Sequence, residues 1–147
     1  MSTRSRIGYV KKDGTVVSIY SHWDGYPSHH GTILLNHYKT LRKVKSLVKL
    51  GAISSLGEHV STKKPHTFDR PQWGVTVAYH RDRGEPWKDC GQIVYNGVDE
   101  FVHGDVDEWG YLFKDNAWYV VDGNANENCR KLFKLTKNFI KATESYE

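Results

Sequence analysis

The sequence predicts a single α+β domain: an antiparallel sheet built from hairpins, two short helices after the first hairpin, and a C-terminal amphipathic helix packed on the sheet. Three observations lead there. β-rich runs flank Lys12-Asp13-Gly14 and, later, Lys114-Asp115-Asn116-Ala117, and turn formers between such runs mark hairpins. Leu41, Val44, Leu47 and Val48 form one apolar helical stripe, and Cys129, Leu132, Phe133, Thr136, Phe139 and Ile140 form another. At 147 residues the chain is long enough to close one core without metals or disulfides, and short for two.

Residues 6–20 read as two antiparallel strands about Asp13-Gly14, with Val17 and Ile19 facing the core in alternation with Val16, Ser18 and Tyr20. The pattern breaks at Ser21-His22-Trp23-Asp24-Gly25-Tyr26-Pro27, a strand-to-helix loop whose Pro27-Ser28 suits a helix start. Residues 28–38 then read as a short helix. Thr40 is placed to cap a second helix, and Gly51 to follow its end in the left-handed conformation. Residues 54–72 are polar and aperiodic, with Lys63-Lys64-Pro65 and Arg70-Pro71, and read as a surface loop, flexible over 58–72. Strand character returns at 74–79 through Val75 and Val77, before a polar turn at 81–86. Short strands are expected at 93–95 and 100–102, and then the hairpin of Tyr111-Leu112-Phe113 with Trp118-Tyr119-Val120-Val121. The tail, 126–143, reads as the amphipathic helix, capped by Asn124 or Asn126.

Lys and Arg number 21 against 17 Asp and Glu, and the net charge of +4 permits a polyanionic partner but is modest for a protein that coats DNA. The two cysteines, Cys90 and Cys129, are too few for a disulfide framework and lack metal-ligand spacing, so a reducing cytoplasm is expected. No stretch approaches the roughly 20 apolar residues that span a bilayer, and the first residues carry no signal-peptide core, so neither export nor membrane insertion is expected. Five Trp and nine Tyr make the chain rich in large amphipathic rings, which serve cores and binding surfaces alike.

Two runs concentrate the residue types that make sites. The first holds His22, Trp23, Asp24 and Tyr26, followed by His29 and His30 near a helix start, where unpaired N–H groups favour anions. The same run reads also as a packed turn, with Asp24 bonding local backbone and Trp23 in the core. The second is Tyr79-His80-Arg81-Asp82-Arg83-Gly84-Glu85. Strand alternation there would point Arg81 and Arg83 the same way, toward a phosphate or carboxylate. A solvated turn of mutually neutralising charges is its other reading.

His22, His29, His30 and His37 crowd one region without the acidic or Cys partner of a known metal pattern, so neither metal nor cofactor is expected. GxSxG, GxGxxG and P-loop motifs are absent, and no residue is assigned as catalytic. Were there acid–base chemistry, His22 or His30 would be the base, with Asp24 or Glu85 assisting, and Asp24, Asp82 and Glu85 would be the first candidates for a carboxylate pair. Lys39, Arg42, Lys43, Lys45 and Lys49 form a basic helix face that could meet nucleic-acid phosphates, although no set of base-reading residues accompanies it; a solvated helix face is its other reading, and the apolar stripe already accounts for where these charges lie.

The runs Ser18-Ile19-Tyr20-Ser21-His22-Trp23-Asp24-Gly25-Tyr26-Pro27 and Gly51-Ala52-Ile53-Ser54-Ser55-Leu56-Gly57 resemble a family of small accessory proteins scattered through tailed-phage genomes. The 79–85 run and the 111–121 hairpin are similar to it too, so the likeness covers most of the chain outside residues 60–72. Members carry no assigned activity. The resemblance implies a role in the cytoplasm of the infected host cell and a shared site formed by the two runs.

The expected function is binding rather than catalysis: countering host defence by sequestering a small nucleotide-like signal or by occupying a host protein. Trp23 or Tyr26 would stack on a base, Arg81 and Arg83 would hold phosphate with Glu85 beside them, and Asp24 would accept from a ribose hydroxyl. The alternatives are an enzyme acting on a nucleotide or nucleic acid, and a nucleic-acid-binding modulator. The aromatic surplus also leaves room for a homo-oligomer.

Overall fold

Asp13 and Gly14 turn the chain back on itself: Gly14 takes a φ of 91°, and the Asp13 carboxylate accepts from both the backbone N–H and the hydroxyl of Thr15. Strands β1 (Ser5–Val10) and β2 (Val16–Ser21) accordingly pair antiparallel, with Ile7 opposite Ile19. The structure is a computed structural model and describes residues 2–144. After β2 come a π-helical turn (Pro27–Gly31), α1 (Thr32–His37), α2 (Leu41–Val48), β3 (Ile53–Ser55), β4 (Val77–Ala78), α3 (Tyr79–Arg83) and α4 (Trp87–Cys90). Next are β5 (Ile93–Tyr95), α5 (Val98–His103), the hairpin β6 (Trp109–Lys114) and β7 (Ala117–Asp122), β8 (Phe133–Lys134) and α6 (Lys137–Thr143).

The strands form one sheet in the order β4-β3-β2-β1-β6-β7-β8, with β5 pairing along β2. The expected purely antiparallel sheet is corrected here: β1 runs parallel to β6, and β2 parallel to β3. Each hairpin is antiparallel, as its turn dictates, and Asp115 and Asn116 both take the positive φ (52° and 62°) that a tight hairpin turn favours. What joins the hairpins is β1 against β6, Ile7 opposite Tyr111, a parallel contact that needs a long crossover. Turn chemistry has no bearing on that join.

Both faces of the sheet are covered. On one, Ile7, Ile19, Tyr111 and Val120 pack with Leu34, Val44 and Leu47 of α1 and α2 and with Ile140 of α6. On the other, Val16, Leu112 and Val121 pack with Tyr95, Phe101 and Val106. Val17 and Ile19 face the first core as expected, but Val16 is equally buried, in the second. Covered on both sides, β2 is buried along nearly its whole length, and its two buried serines are satisfied, Ser18 by the Ile93 carbonyl and Ser21 by His30.

Thr40 caps α2, accepting from the Lys43 N–H, and Gly51 follows that helix with a φ of 75°. Several element expectations need correction. The strand expected over 74–79 shrinks to β4, and residues 79–83 are helical because the Asp82 carboxylate accepts from the Ala78 N–H and fixes the first turn of α3. Residues 100–102 lie in α5, where Phe101 and Val102 are buried. The tail helix is confined to α6 and capped by Thr136; Cys129 is exposed before it and Phe133 lies in β8, held there by pairing with Val120. The 58–72 segment has no helix, and its backbone is bonded to the body by His59 with Gly74 and Phe68 with Asp82. Among the described residues no helix is long and apolar enough to cross a membrane.

Candidate ligand-binding cleft

The parallel pairing of β2 and β3 decides where the first run lies. The His22 and Trp23 N–H groups donate to the carbonyls of Ile53 and Ser54, while Ala78 of β4 pairs with Ile53 from the other side. The His22–Tyr26 run and the start of α3 are therefore two strands apart at one end of the sheet.

The structure does not bring the two runs together as a phosphate grip. Arg81 and Arg83 sit on helix α3, so the shared strand direction does not exist. The Arg81 guanidinium donates to the Val60 carbonyl, the Ser61 hydroxyl, the Thr76 carbonyl and both oxygens of Asp82. Burial alone would raise the Asp82 carboxyl, but the bonds from Arg81 and Ala78 outweigh it and hold the group below the usual carboxylate range. Arg83 pairs with Glu85 at 2.8 Å and lies over the rings of Phe68 and Tyr79. These charges tie the 58–72 segment to α3.

His30 is fully buried, with Nε2 2.8 Å from the Ser21 hydroxyl and Nδ1 3.0 Å from Nδ1 of His29. Burial, and then His29, push it well below the ordinary imidazole value, so it stands as a neutral core residue rather than an exposed base. Tyr26 is half-buried and meets His29 edge to face. Asp24 takes a φ of 59°, and the following Gly25 bonds through its N–H to Thr3 and through its carbonyl to the Tyr111 hydroxyl. Trp23, placed in the core by the packed-turn reading, is 43% exposed. Among the described residues no group of three His, Cys, Asp or Glu is placed to hold a metal.

His22 belongs to a different arrangement. Its Nδ1 is 2.7 Å from the Tyr20 hydroxyl and its ring meets Trp23 edge to face. Tyr20 in turn lines a cleft of about 520 Å³ together with Arg6, Ala52, Trp87, Lys88, Asp89 and Gln92. Trp87 is 42% exposed and packs edge to face on His80, whose Nδ1–H donates to the Glu85 carbonyl. The cleft thus draws its two rings from the ends of the two sequence runs, Tyr20 beside His22 and Trp87 beside His80.

No family model, curated protein or solved structure matches this chain. The cleft's chemistry is read from its residues alone. Arg6 is held by Asp107 at 2.9 Å and by the Tyr95 hydroxyl at 3.1 Å, which fixes its guanidinium at the cleft wall. Burial, followed by the Asp107 charge, raises the Tyr20 hydroxyl above its ordinary value, so Tyr20 is a neutral donor at physiological pH.

Sequence reasoning missed Arg6, Tyr20, Trp87 and Gln92. Tyr20 had a signal: strand alternation puts it on the same face as His22. Arg6 and Trp87 had none, because they come from segments whose meeting depends on β1 lying beside β2 and on α4 returning over β3.

Proposed function

We propose that the protein is a binding protein whose cleft between Tyr20 and Trp87 takes a small nucleotide-like ligand. The observation that carries this is that Tyr20 and Trp87 line, with Arg6, Lys88 and Asp89, one volume of about 520 Å³, within the range of small-molecule sites. A planar base stacks on such rings, and a phosphate is met by the cations. The reading keeps the ligand class expected from the sequence and moves the site from Arg81 and Arg83 to Arg6 and Trp87. Together with the resemblance to tailed-phage accessory proteins, it makes the protein a sponge for a host signal during infection.

Calorimetric titration with a panel of purine and pyrimidine mononucleotides and cyclic nucleotides tests it. A panel member binds the wild type, and Trp87→Ala weakens it by about 5- to 150-fold, the loss of one stacking platform at ~1–3 kcal/mol. The ligand recovered after denaturation is chemically unaltered. Absence of binding across the panel, or undiminished binding by the variant, overturns the reading, and a chemically altered ligand replaces the sponge with an enzyme.

A further inference from the structure

The segment between Asp24 and Glu58 contains no acidic residue and five cations, Lys39, Arg42, Lys43, Lys45 and Lys49. Those five exceed the net charge of the whole chain, +4, so the remaining 16 basic and 17 acidic residues sum to −1. The charge of this protein is therefore an attribute of α2 and its flanks.

Lys43 is spent on structure: its ammonium donates to the His37 and Glu58 carbonyls, both at 2.7 Å, and lies over the Tyr38 ring. The other four are exposed, and among the described residues no carboxylate pairs with them. α2 stands as a ridge between two open clefts. One, about 400 Å³, is bordered by Arg42; the other, about 350 Å³, is lined by Lys11 and Lys12 of the first hairpin turn and by Lys45, with the Asp13 carboxylate among them. Unpaired cations on both flanks of a ridge repel one another at a cost in stability that a solvated face has no need to bear.

We propose that α2 docks a nucleic-acid duplex through its phosphate backbone, with Lys39, Arg42, Lys45 and Lys49 as the contacting cations and Lys11 and Lys12 extending the contact. The occupant is a duplex because the rings bordering the two clefts are poorly placed to stack unpaired bases: the exposed His59 imidazole is tied to the Glu58 carboxylate at 3.3 Å, and Tyr9 is half-buried with Lys45 above it. Contact is independent of sequence, since the ridge presents Lys and Arg to phosphates without side chains that read base edges. This surface is distinct from the Tyr20–Trp87 cleft and shares no residue with it.

Fluorescence anisotropy with a short labelled DNA duplex, and a single strand of the same length, decides it. The wild type binds the duplex more tightly, and raising salt from about 50 to 200 mM weakens binding ~150-fold if four phosphates are contacted at a log–log slope of about −0.9 each. Replacing Lys39, Arg42, Lys45 and Lys49 together by Ala removes most of that affinity and its salt dependence, whereas Trp87→Ala leaves both intact. If the fourfold variant unfolds, single Lys→Gln changes are read by the reduction of the salt slope by about one unit each. No binding at low salt, a salt-independent affinity, preference for the single strand, or retention by phosphatidylserine vesicles in place of the duplex each overturns the proposal.

Discussion

Gly51 lies against Trp87: a Cβ at position 51 would come within 2.9 Å of the indole ring, and closer still to the Cys90 carbonyl. The same residue holds a φ of 75° after α2. One glycine therefore ends a helix and makes room for a ring that lines the cleft.

Gly51→Ala meets both constraints at once. The left-handed backbone costs a non-glycine residue about 1–2 kcal/mol, and the clash adds to it. The melting temperature is expected to fall by at least ~4 °C, with ligand affinity at the cleft reduced in the surviving fold. A melting temperature unchanged from wild type would show that α4 shifts freely and is not a fixed wall.

Arg81→Ala separates anchoring from ligand contact. The guanidinium bonds Val60, Ser61, Thr76 and Asp82, so its loss frees the 58–72 segment and leaves the poorly accessible Asp82 carboxylate underbonded. Hydrogen bonds to charged groups of this kind are worth about 1.5–3 kcal/mol. Limited proteolysis is expected to cut the segment faster, while nucleotide binding at the cleft persists. Loss of binding with unchanged protease resistance would restore Arg81 to the site.

The buried His30 sets an acid limit. Its folded pKa lies below the unfolded value near 6.5, so above that value both states are neutral and the group contributes no pH dependence. As pH falls through 6.5 the unfolded chain takes up a proton that the native state refuses, and stability declines by up to about 1.4 kcal/mol per pH unit. Asp82, held low, loses its contribution only as pH falls through the carboxylate range. Thermal melts from pH 7.5 to 5 are expected to decline in the wild type, with a shallower slope in His30→Gln. Parallel slopes would remove His30 as the cause.

Much of this fold is written locally. Asp13-Gly14 and Asp115-Asn116 specify their hairpins because those residues tolerate the required positive φ, and Thr40 and Gly51 bracket α2 because a cap and a left-handed residue act within a few bonds of themselves. The candidate site was legible in part. His22 lies beside the cleft, yet Arg81, Arg83 and Glu85 are engaged with one another's neighbourhood, since Asp82 turned an expected strand into a helix and rotated both arginines toward other partners.

The sequence alone determined the α+β class, the two hairpins, the second helix with its caps and the concentration of positive charge along it, all consequences of turn chemistry, periodicity and composition. The tertiary structure decided that β1 lies parallel to β6, that the sheet is buried on both faces, and that Arg6, Tyr20 and Trp87 share a cleft. Those depend on which distant strands pair. Pairing is settled by burying apolar surface from the whole chain at once, a free energy to which no single stretch of sequence corresponds.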